Sequence, residues 1–454
     1  MNGDLQIDLF GTVPSRSSDT TFKVWNNIWN SSETGSAVFN LTDPNMDGAQ
    51  CKLSNPHSNA AVDLNGDCLA VCDEENSSNQ YFQIWVNNKD SGFSLAQLGR
   101  LPKGFQSITF GDIDRDGTID MLFVTCDSVS KLTGAGSKCK INIAYNKQLP
   151  LCASATAPSV RKGKRVCRSP DDLCTADPDF QFDLHESDDN PDFVSIPLSD
   201  IFISESAVQS QSLLVLDTTQ KPPVPIPIKA RDRKVHVPHN SHIPYLAARG
   251  TLDIMVQRTG NQGEGNILFV QNNFYYDAFF LKAIVLNGAC GSGLCSTPNG
   301  TKYHPFGVSY SGATYKYTVL DTSGRRSAAA VGQLPQTSYQ SLLTPYSYFG
   351  LGRTNNYIEN LFVGSTKHTD EHYIDMEGVI PNSKVVIIPP IDGDGPWKKE
   401  LFLRPGEWIP WVTLTVVIAT VILAIIVFVL HLNEKREDEM ERRRASHHIN
   451  FDAL

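Results

Sequence analysis

A run of uncharged residues near the C-terminus limits what this chain of 454 residues can fold into. Residues Trp411–Leu430 read WVTLTVVIATVILAIIVFVL, which is 20 consecutive positions without a charged side chain. At about 1.5 Å rise per residue, a helix of that length spans ~30 Å, the thickness of a bilayer hydrocarbon core. A helix in a soluble domain needs only one apolar stripe. The sequence therefore predicts one transmembrane helix over 411–431 and a cytoplasmic tail over 432–454.

The residues that flank this segment predict its orientation. Trp408 and Trp411 mark the N-terminal end, as the aromatic belt of a membrane interface would. The tail segment EKREDEMERRR contains five basic residues, against three upstream at Lys398, Lys399 and Arg404. Because basic residues near a span favour the cytosolic side, this bias predicts that the C-terminus is inside and that the chain has type I topology.

Cysteines and glycosylation sequons all lie before the apolar segment. The chain has ten cysteines, an even number that suits disulfide bonds in an oxidising compartment. The candidate local disulfides are Cys126 with Cys139, Cys167 with Cys174, and Cys290 with Cys295. The N-x-S/T sequons are at Asn30, Asn40, Asn76 and Asn299. These features predict a single-pass glycoprotein of the plasma membrane or of an endomembrane in the secretory pathway.

The charge balance excludes one class of partner. Acidic residues outnumber basic ones by 49 to 39, which gives a formal net charge of −10. Nucleic acid binding requires a basic surface, so no nucleic acid partner is predicted. The aspartates are clustered along the chain, and clustered carboxylates attract cations instead.

The most specific local motif is FGDIDRDGTIDMLFV over Phe110–Val124. Its carboxylates stand at the first, third, fifth and ninth loop positions, in Asp112, Asp114, Asp116 and Asp120. Alternate oxygens on a tight turn converge on one point, which suits a hard cation such as Ca²⁺, and Gly117 permits the positive φ of such a turn. An EF-hand would have Glu at position 12, where this loop has Phe123 before a strand-like run. The motif therefore predicts a structural Ca²⁺ site between two strands.

Weaker copies of this loop occur elsewhere in the chain. One copy keeps Asp63, Asn65 and Asp67 but departs from the pattern at the next two positions, and another is a short echo in GTLDIMV, which keeps Asp253. A further copy at the start has Asn2, Asp4 and Asp8. The first and third of these copies are weaker candidate Ca²⁺ sites.

These repeats resemble the FG-GAP repeats of integrin α-subunits. The resemblance implies a β-propeller over residues 1–267, with the loops carrying Ca²⁺ inside its blades. A propeller needs at least four blades, and this length holds only four or five at the observed spacing. We therefore expect the propeller to be incomplete and the chain to be an incomplete or altered form of a longer protein.

A second β-rich region follows over residues 268–396. Short runs such as YDAFFLKAIVLNG, YKYTVLDTSG and SKVVIIPP alternate with Gly, Pro, Asn and Asp turns. Several such strands within about 125 residues predict a β-sandwich. A juxtamembrane stem over 397–410 would connect it to the membrane helix.

In this second region the sequence is similar to one family. The segments PFGVSYSGATYKYTVLDTSG, GQLPQTSYQSLLTPYSYFGLGRTNNYIENLFVG and VIPNSKVVIIP, the membrane helix, and a tail ending HHINFDAL resemble the T-cell immunomodulatory protein family, also called linkin in animals. The resemblance implies an FG-GAP propeller, a C2-like sandwich and one membrane helix. It also implies a role in cell adhesion or cell-surface signalling through recognition of a protein partner that the sequence does not identify.

No enzyme signature survives inspection. The segment Gly350–Asn355 lacks the third glycine of a dinucleotide-binding loop, and Gly307–Ser311 lacks the second glycine of a nucleophile elbow. We therefore predict a protein that is not an enzyme. Two alternatives remain open, namely a trafficking or quality-control factor of the secretory pathway, and a hydrolase that carries a propeller.

Two further patterns receive a simpler interpretation. The histidines of HVPHNSH, His236, His239 and His242, are predicted to lie in a solvated loop because Pro238 disfavours the helix that would align them. The basic segment RKGKRVCR over Arg161–Arg168 is predicted to be an exposed loop.

Overall fold

The structure is a computed structural model, and part of the chain is described in it. The described residues are 6–14, 20–29, 35, 37–47, 60–66, 72–73, 80–114, 116–129, 136–149, 159–161, 164–169, 173–197, 254–257, 267–270, 279–290, 293–296, 302–320, 324, 326–333, 345–352, 357–390, 395–403 and 409–445. They form two compact units, Met1–Phe402 and Leu403–Leu454. Most of the regular structure described in the first unit is strand, and the second unit contains one long helix, which confirms the predicted mainly-β fold class.

Seventeen short strands are found among the described residues of the N-terminal part of the first unit. They are β1 Leu9–Pro14, β2 Thr20–Asn27, β3 Phe39–Thr42, β4 Met46–Asp47, β5 Cys72–Asp73, β6 Tyr81–Asn87, β7 Phe93–Arg100, β8 Phe105–Gly111, β9 Asp120–Thr125, β10 Ser128–Val129, β11 Gly136–Ser137, β12 Lys140–Ala144, β13 Ser159–Arg161, β14 Lys164–Val166, β15 Phe193–Pro197, β16 Ile254–Gln257 and β17 Ile267–Val270.

These strands form separate small sheets. One has three strands in the order β1-β2-β3, and two have four strands in the orders β4-β7-β6-β5 and β15-β12-β9-β8. Four strands is the size of a propeller blade. The two four-stranded sheets therefore agree with the blade size that FG-GAP repeats imply, while the closed propeller stays a prediction.

The sheet that contains β9 has the most deeply buried strand of this part. Residues Met121–Val124 are all buried, because β9 lies between β8 and β12 and both of its faces are covered. Phe123 packs against Phe105 and Phe193, with ring centroids 5.9 and 6.2 Å apart. This packing fixes both ends of the loop between β8 and β9, which is the Asp112 loop (residues 112–119).

In the C-terminal part of the first unit, the residues that the structure describes form eleven strands. They are β18 Phe279–Asn287, β19 Cys295–Ser296, β20 Lys302–Tyr303, β21 Val308–Ser309, β22 Thr314–Leu320, β23 Arg326–Gly332, β24 Ser347–Gly352, β25 Ile358–Gly364, β26 Tyr373–Val379, β27 Ser383–Ile388 and β28 Lys398–Leu403.

Two sheets made from these strands form the predicted sandwich. One sheet has the order β21-β18-β27-β28 with β24 also paired to β18, and the other has the order β23-β22-β25-β26. Tyr315 and Tyr317 of β22 pack against Phe349 of β24, with ring centroids 5.1 and 5.5 Å apart. Strand β28 lies in the segment predicted to be a stem, and its pairing with β27 makes it part of the sandwich.

Strand β22 is buried on both faces. Tyr315, Tyr317 and Val319 point into the sandwich core, as alternation along a strand requires. The alternate residues Lys316 and Thr318 are also buried, at 2% and 1% exposure, although they lie on the opposite face. This outer face is covered by loops of the N-terminal part, because the Lys316 ammonium donates to the carbonyls of residues 66 and 173.

The second unit contains helix α1, Ile409–Ala445, of 37 residues. Among the described residues it is the one helix long and apolar enough to cross a membrane, with a mean hydropathy of 3.1 in its most apolar window and no buried residue there. The hydroxyls of Thr415 and Thr420 donate to carbonyls within the helix, at Val412 and Val416. Such internal bonds are what a polar side chain requires in lipid.

Candidate metal centre

Backbone amides fold the Asp112 loop around its own carboxylates. Gly117 has φ 86°, which a glycine adopts without strain. The amides of Asp116 and Gly117 donate to the two oxygens of Asp112, at 3.2 and 3.0 Å. The amide and hydroxyl of Thr118 donate to Oδ1 of Asp116, at 2.8 and 2.6 Å. The turn therefore holds its acidic side chains together on one side.

Three carboxylates converge in this loop, as the sequence predicts. One oxygen each from Asp112, Asp114 and Asp116 lies within 4.8 Å of the other two. Three oxygens that close lie within about 2.8 Å of a common point, so small side-chain shifts would bring them to the Ca²⁺–oxygen distance of about 2.3–2.6 Å. Asp116 is buried and Asp114 is exposed, so one side of the group faces solvent and gives an ion a path of entry.

The electrostatics of the loop favour a bound cation. Burial, with added repulsion from Asp116 and Asp114, raises the pKa of Asp112 well above its ordinary value. Removal from water and repulsion from Asp116 raise the pKa of Asp114 to about 7. Burial also raises the pKa of Asp116, although its bonds to Thr118 and the nearby Arg168 oppose the shift. A divalent cation would relieve this repulsion, and an all-oxygen donor set suits Ca²⁺.

Asp120, the fourth predicted ligand, lies beside the group of three and anchors the base of the loop. It is 1% exposed, and its oxygens accept the amides of Ile113 at 2.8 Å and Asn146 at 3.0 Å. Burial and repulsion from Asp116 and Asp112 raise its pKa well above the ordinary value. A cation in the loop would oppose this shift, because a nearby positive charge stabilises the ionised carboxylate.

The second predicted loop, around Asp63, has a different environment. The Asp63 side chain is fully buried, and its Oδ1 accepts the amide of Gly66 at 2.8 Å. Its Oδ2 lies 2.9 Å from the ammonium of Lys316 on β22. The backbone oxygen of Asn65 accepts the amide of Asp177. Asp67 lies outside the described residues, and Ca²⁺ binding by this loop stays a prediction.

Of the N-terminal copy, one residue is described. Asp8 accepts the amide of Asn27 through Oδ1 at 2.8 Å, whereas Asn2 and Asp4 lie outside the described residues. Asp253 and the histidines of HVPHNSH lie outside them as well. Ca²⁺ binding at the N-terminal copy also stays a prediction.

The two loops are joined to each other and to the sandwich. The Asn146 side chain donates to the carbonyls of Leu64 and Ile119, one in each loop, at 2.8 and 3.0 Å. The amide of Ala330 on β23 donates to Oδ2 of Asp112 at 2.9 Å. Strands β22 and β23 of one sandwich sheet therefore each contact one of the two acidic loops.

The sequence does not predict three residues that lie against the acidic loops, namely Lys316, Ala330 and Arg168. The segment YKYTV places a charged residue between two tyrosines of a strand, and this pattern could have singled out Lys316. The pattern does not show which residue Lys316 contacts. The sequence predicts that Arg168 lies in an exposed loop, and for Arg168 this prediction is wrong. The structure leaves it 6% exposed, because its Nε donates to the carbonyl of Leu149 at 2.9 Å and its guanidinium lies beside Gly66.

All six cysteines of the candidate local disulfides are disulfide-bonded. Disulfides join Cys126 to Cys139 and Cys290 to Cys295, as predicted. Cys167 and Cys174 are disulfide-bonded as well.

Of the four sequons, Asn40 is described. It lies exposed on β3. The other three sequon asparagines, Asn30, Asn76 and Asn299, lie outside the described residues.

Together, these features define a disulfide-bonded, mainly-β protein with a C2-like sandwich and one C-terminal helix able to span a membrane. Residues 305–402 match the family model described as "ITFG1, C2 domain". The T-cell immunomodulatory protein homolog of Plasmodium yoelii yoelii is 27% identical over 515 residues, covering 99% of this chain and 71% of that protein. The T-cell immunomodulatory protein of Homo sapiens is 27% identical over 481 residues, covering 100% and 73%.

Protein linkin of Caenorhabditis elegans is 28% identical over 215 residues, covering 46% of this chain and 35% of that protein. The predicted resemblance to the T-cell immunomodulatory protein family is thereby confirmed.

Proposed function

We propose that this chain is a type I membrane glycoprotein that acts by recognising a protein partner, in cell adhesion or cell-surface signalling, with Ca²⁺ in a structural role. The observation that carries the proposal is the group formed by Asp112, Asp114 and Asp116, which borders the C2-like sandwich. Ionised carboxylates supply the oxygen ligands that Ca²⁺ requires. A Ca²⁺ ion bound by these three aspartates would make the adjoining surface more rigid. Relatives named as immunomodulatory protein and linkin support a role in recognition.

The bound ion would supply positive charge, and the chain's own residues would supply the rest. Asp112, Asp114 and Asp116 would hold Ca²⁺, and Asp112 would at the same time keep its bond to the amide of Ala330. The loop amides at residues 116–118 already fix the carboxylates of Asp112 and Asp116 in place. An ion in this loop would therefore order a surface that includes part of the sandwich, which is the surface we propose for partner binding.

The location and the adhesive role can be tested together on cells that express the full chain. Surface biotinylation is expected to label the protein, and cells that express it are expected to bind one another or partner cells more than untransfected cells do. This binding should fall on chelation of Ca²⁺ and in the Asp114→Ala variant, and should persist in Asp188→Ala, which alters an exposed aspartate elsewhere. A chain that stays intracellular would favour the trafficking or quality-control role instead.

The topology makes a separate prediction at Asn40. This side chain is exposed on β3, so the enzyme that adds N-glycans can reach it when this part of the chain enters the secretory lumen. Asn40→Gln is expected to remove one glycan, seen as a drop in mass that glycosidase treatment abolishes. Thr42→Ser keeps the sequon and should keep the glycan. An equal mass for Asn40→Gln and the unaltered chain would count against a luminal position for this region.

A further inference from the structure

A lysine from the sandwich occupies the centre of the Asp63 loop. The Lys316 ammonium lies 2.9 Å from Oδ2 of Asp63, and it donates to the carbonyl oxygens of Gly66 at 2.8 Å and Leu173 at 3.1 Å. An ammonium has three N–H donors, and these three oxygens match them in number. The side chains of Lys316 and Asp63 are 3% and 0% exposed. The ammonium is therefore coordinated by protein oxygens in place of water.

The Asp63 loop resembles the Asp112 loop in construction. Each begins with an aspartate that accepts a loop amide, and each contains a glycine with positive φ, Gly66 at the fourth position (91°) and Gly117 at the sixth (86°). The two loops also differ in what the adjacent sandwich strand contributes. Strand β23 presents a backbone amide to Asp112, whereas β22 presents a full positive charge to Asp63.

The side chains around Gly66 leave no room for a larger residue at this position of the loop. A Cβ atom at Gly66 would lie 2.6 Å from Nη1 of Arg168 and 2.7 Å from Oε1 of Gln148, so the loop is closed on that side. The side chain of Gln148 donates to the carbonyl of Leu64 within the loop. Beside these contacts, the carbonyl of Gly66 accepts a hydrogen bond from the Lys316 ammonium.

The burial of both charges makes each of them dependent on the other. Removing an ion from water costs several kcal/mol unless a partner of opposite charge and good hydrogen bonds replace the water. Asp63 and Lys316 meet both conditions. A divalent cation that entered this loop would have to displace the ammonium and leave it buried beside a second positive charge, which electrostatic repulsion opposes.

We propose that the Asp63 loop is a cation-binding loop whose ligand is the Lys316 ammonium, and that this bond joins the C2-like sandwich to the repeat region without a metal ion. The proposal goes beyond the proposed function and does not depend on Ca²⁺ binding by the Asp112 loop. In the Asp63 loop, whose sequence is typical of a metal site, an ammonium from the same chain takes the place of the metal ion. This arrangement also makes the bond between the two regions, unlike the one at the Asp112 loop, insensitive to chelators.

Counting bound Ca²⁺ in variants of the full chain in detergent micelles tests the proposal. Asp63→Asn is expected to bind as many Ca²⁺ ions as the unaltered chain. Lys316→Ala empties the loop and is expected to bind one Ca²⁺ more per chain, with a rise in Tm on Ca²⁺ addition larger than that of the unaltered chain. The double variant Asp63→Asn/Lys316→Ala should lose the extra ion. The proposal is overturned if Asp63→Asn binds one ion fewer, or if Lys316→Ala gains none.

The unaltered chain gives a second measurement that does not depend on whether a variant folds. Lys316 is expected to react with an amine-specific reagent on the order of 100-fold more slowly than Lys138, since a buried amine reacts only after local opening. Lys138 is a suitable control because its side chain is 79% exposed. The rate at Lys316 should be equally slow in Ca²⁺ and in chelator. Faster labelling in Ca²⁺ would show that the metal displaces the ammonium, and would overturn the proposal.

Discussion

Replacing Gln333 by leucine is expected to lower the free energy of unfolding by about 4 kcal/mol, because each buried polar group left without a partner costs about 1–3 kcal/mol. Gln333 is 1% exposed and follows β23. Its Oε1 accepts the amide of Val285 at 2.9 Å and the hydroxyl of Tyr315 at 2.6 Å. Its Nε2 donates to the carbonyls of Val285 and Tyr310 and to the hydroxyl of Ser309. One side chain thus links strands of both sandwich sheets.

Denaturant unfolding of the full chain, followed by tryptophan fluorescence, measures this effect. Gln106→Leu is the matched control, because Gln106 is only partly buried and its side chain bonds to a carbonyl two residues away, at Gly104. We expect the control to cost less than about 1 kcal/mol. Equal losses in the two variants would show that the Gln333 network does not stabilise the sandwich.

Replacing Asp114 by alanine is expected to lower stability by about 2–3 kcal/mol in millimolar Ca²⁺ and by much less in chelator. A ligand present at 100 times its dissociation constant stabilises the folded state by about 2.7 kcal/mol, and loss of one carboxylate would remove most of that. Asp114 suits this test because it is the exposed member of the group, while Asp112 and Asp116 also hold the loop together.

Thermal unfolding with and without Ca²⁺ measures this dependence. The unaltered chain should have a higher Tm in Ca²⁺ than in chelator, and Asp114→Ala should have nearly the same Tm in both. Asp188→Ala removes an exposed carboxylate elsewhere and should keep the full Ca²⁺ response. A response retained by Asp114→Ala would mean that Ca²⁺ stabilises the chain at another position.

The sequence predicts those parts of the structure that depend on local periodicity. A helix that is apolar on every side must be removed from water, either in lipid or in a protein core, and a run of 20 uncharged residues has the length that a bilayer requires, so this run predicts α1. Alternating strands and turn residues predict the sandwich, because those patterns fix which face is buried. The group of three aspartates follows from spacing alone, since alternate positions on a tight turn must point to the same side.

Contacts between distant segments could not be predicted. Nothing in RKGKRVCR shows that Arg168 turns inward, because its acceptor at Leu149 is brought close by the fold. Lys316 meets Asp63 although they are 253 positions apart, and no local pattern relates the two. The predicted stem differs from the structure for a similar reason, since β28 joins the sandwich through pairing with β27.

The length of α1 has a mechanical consequence. Its 37 residues correspond to about 55 Å, and a bilayer core takes up ~30 Å of that. The helix continues without a break from the apolar run into the charged segment that ends at Ala445. Because the backbone hydrogen bonds of a helix link each turn to the next, a rotation of the apolar segment about its own axis would be passed on to the charged side chains that follow it.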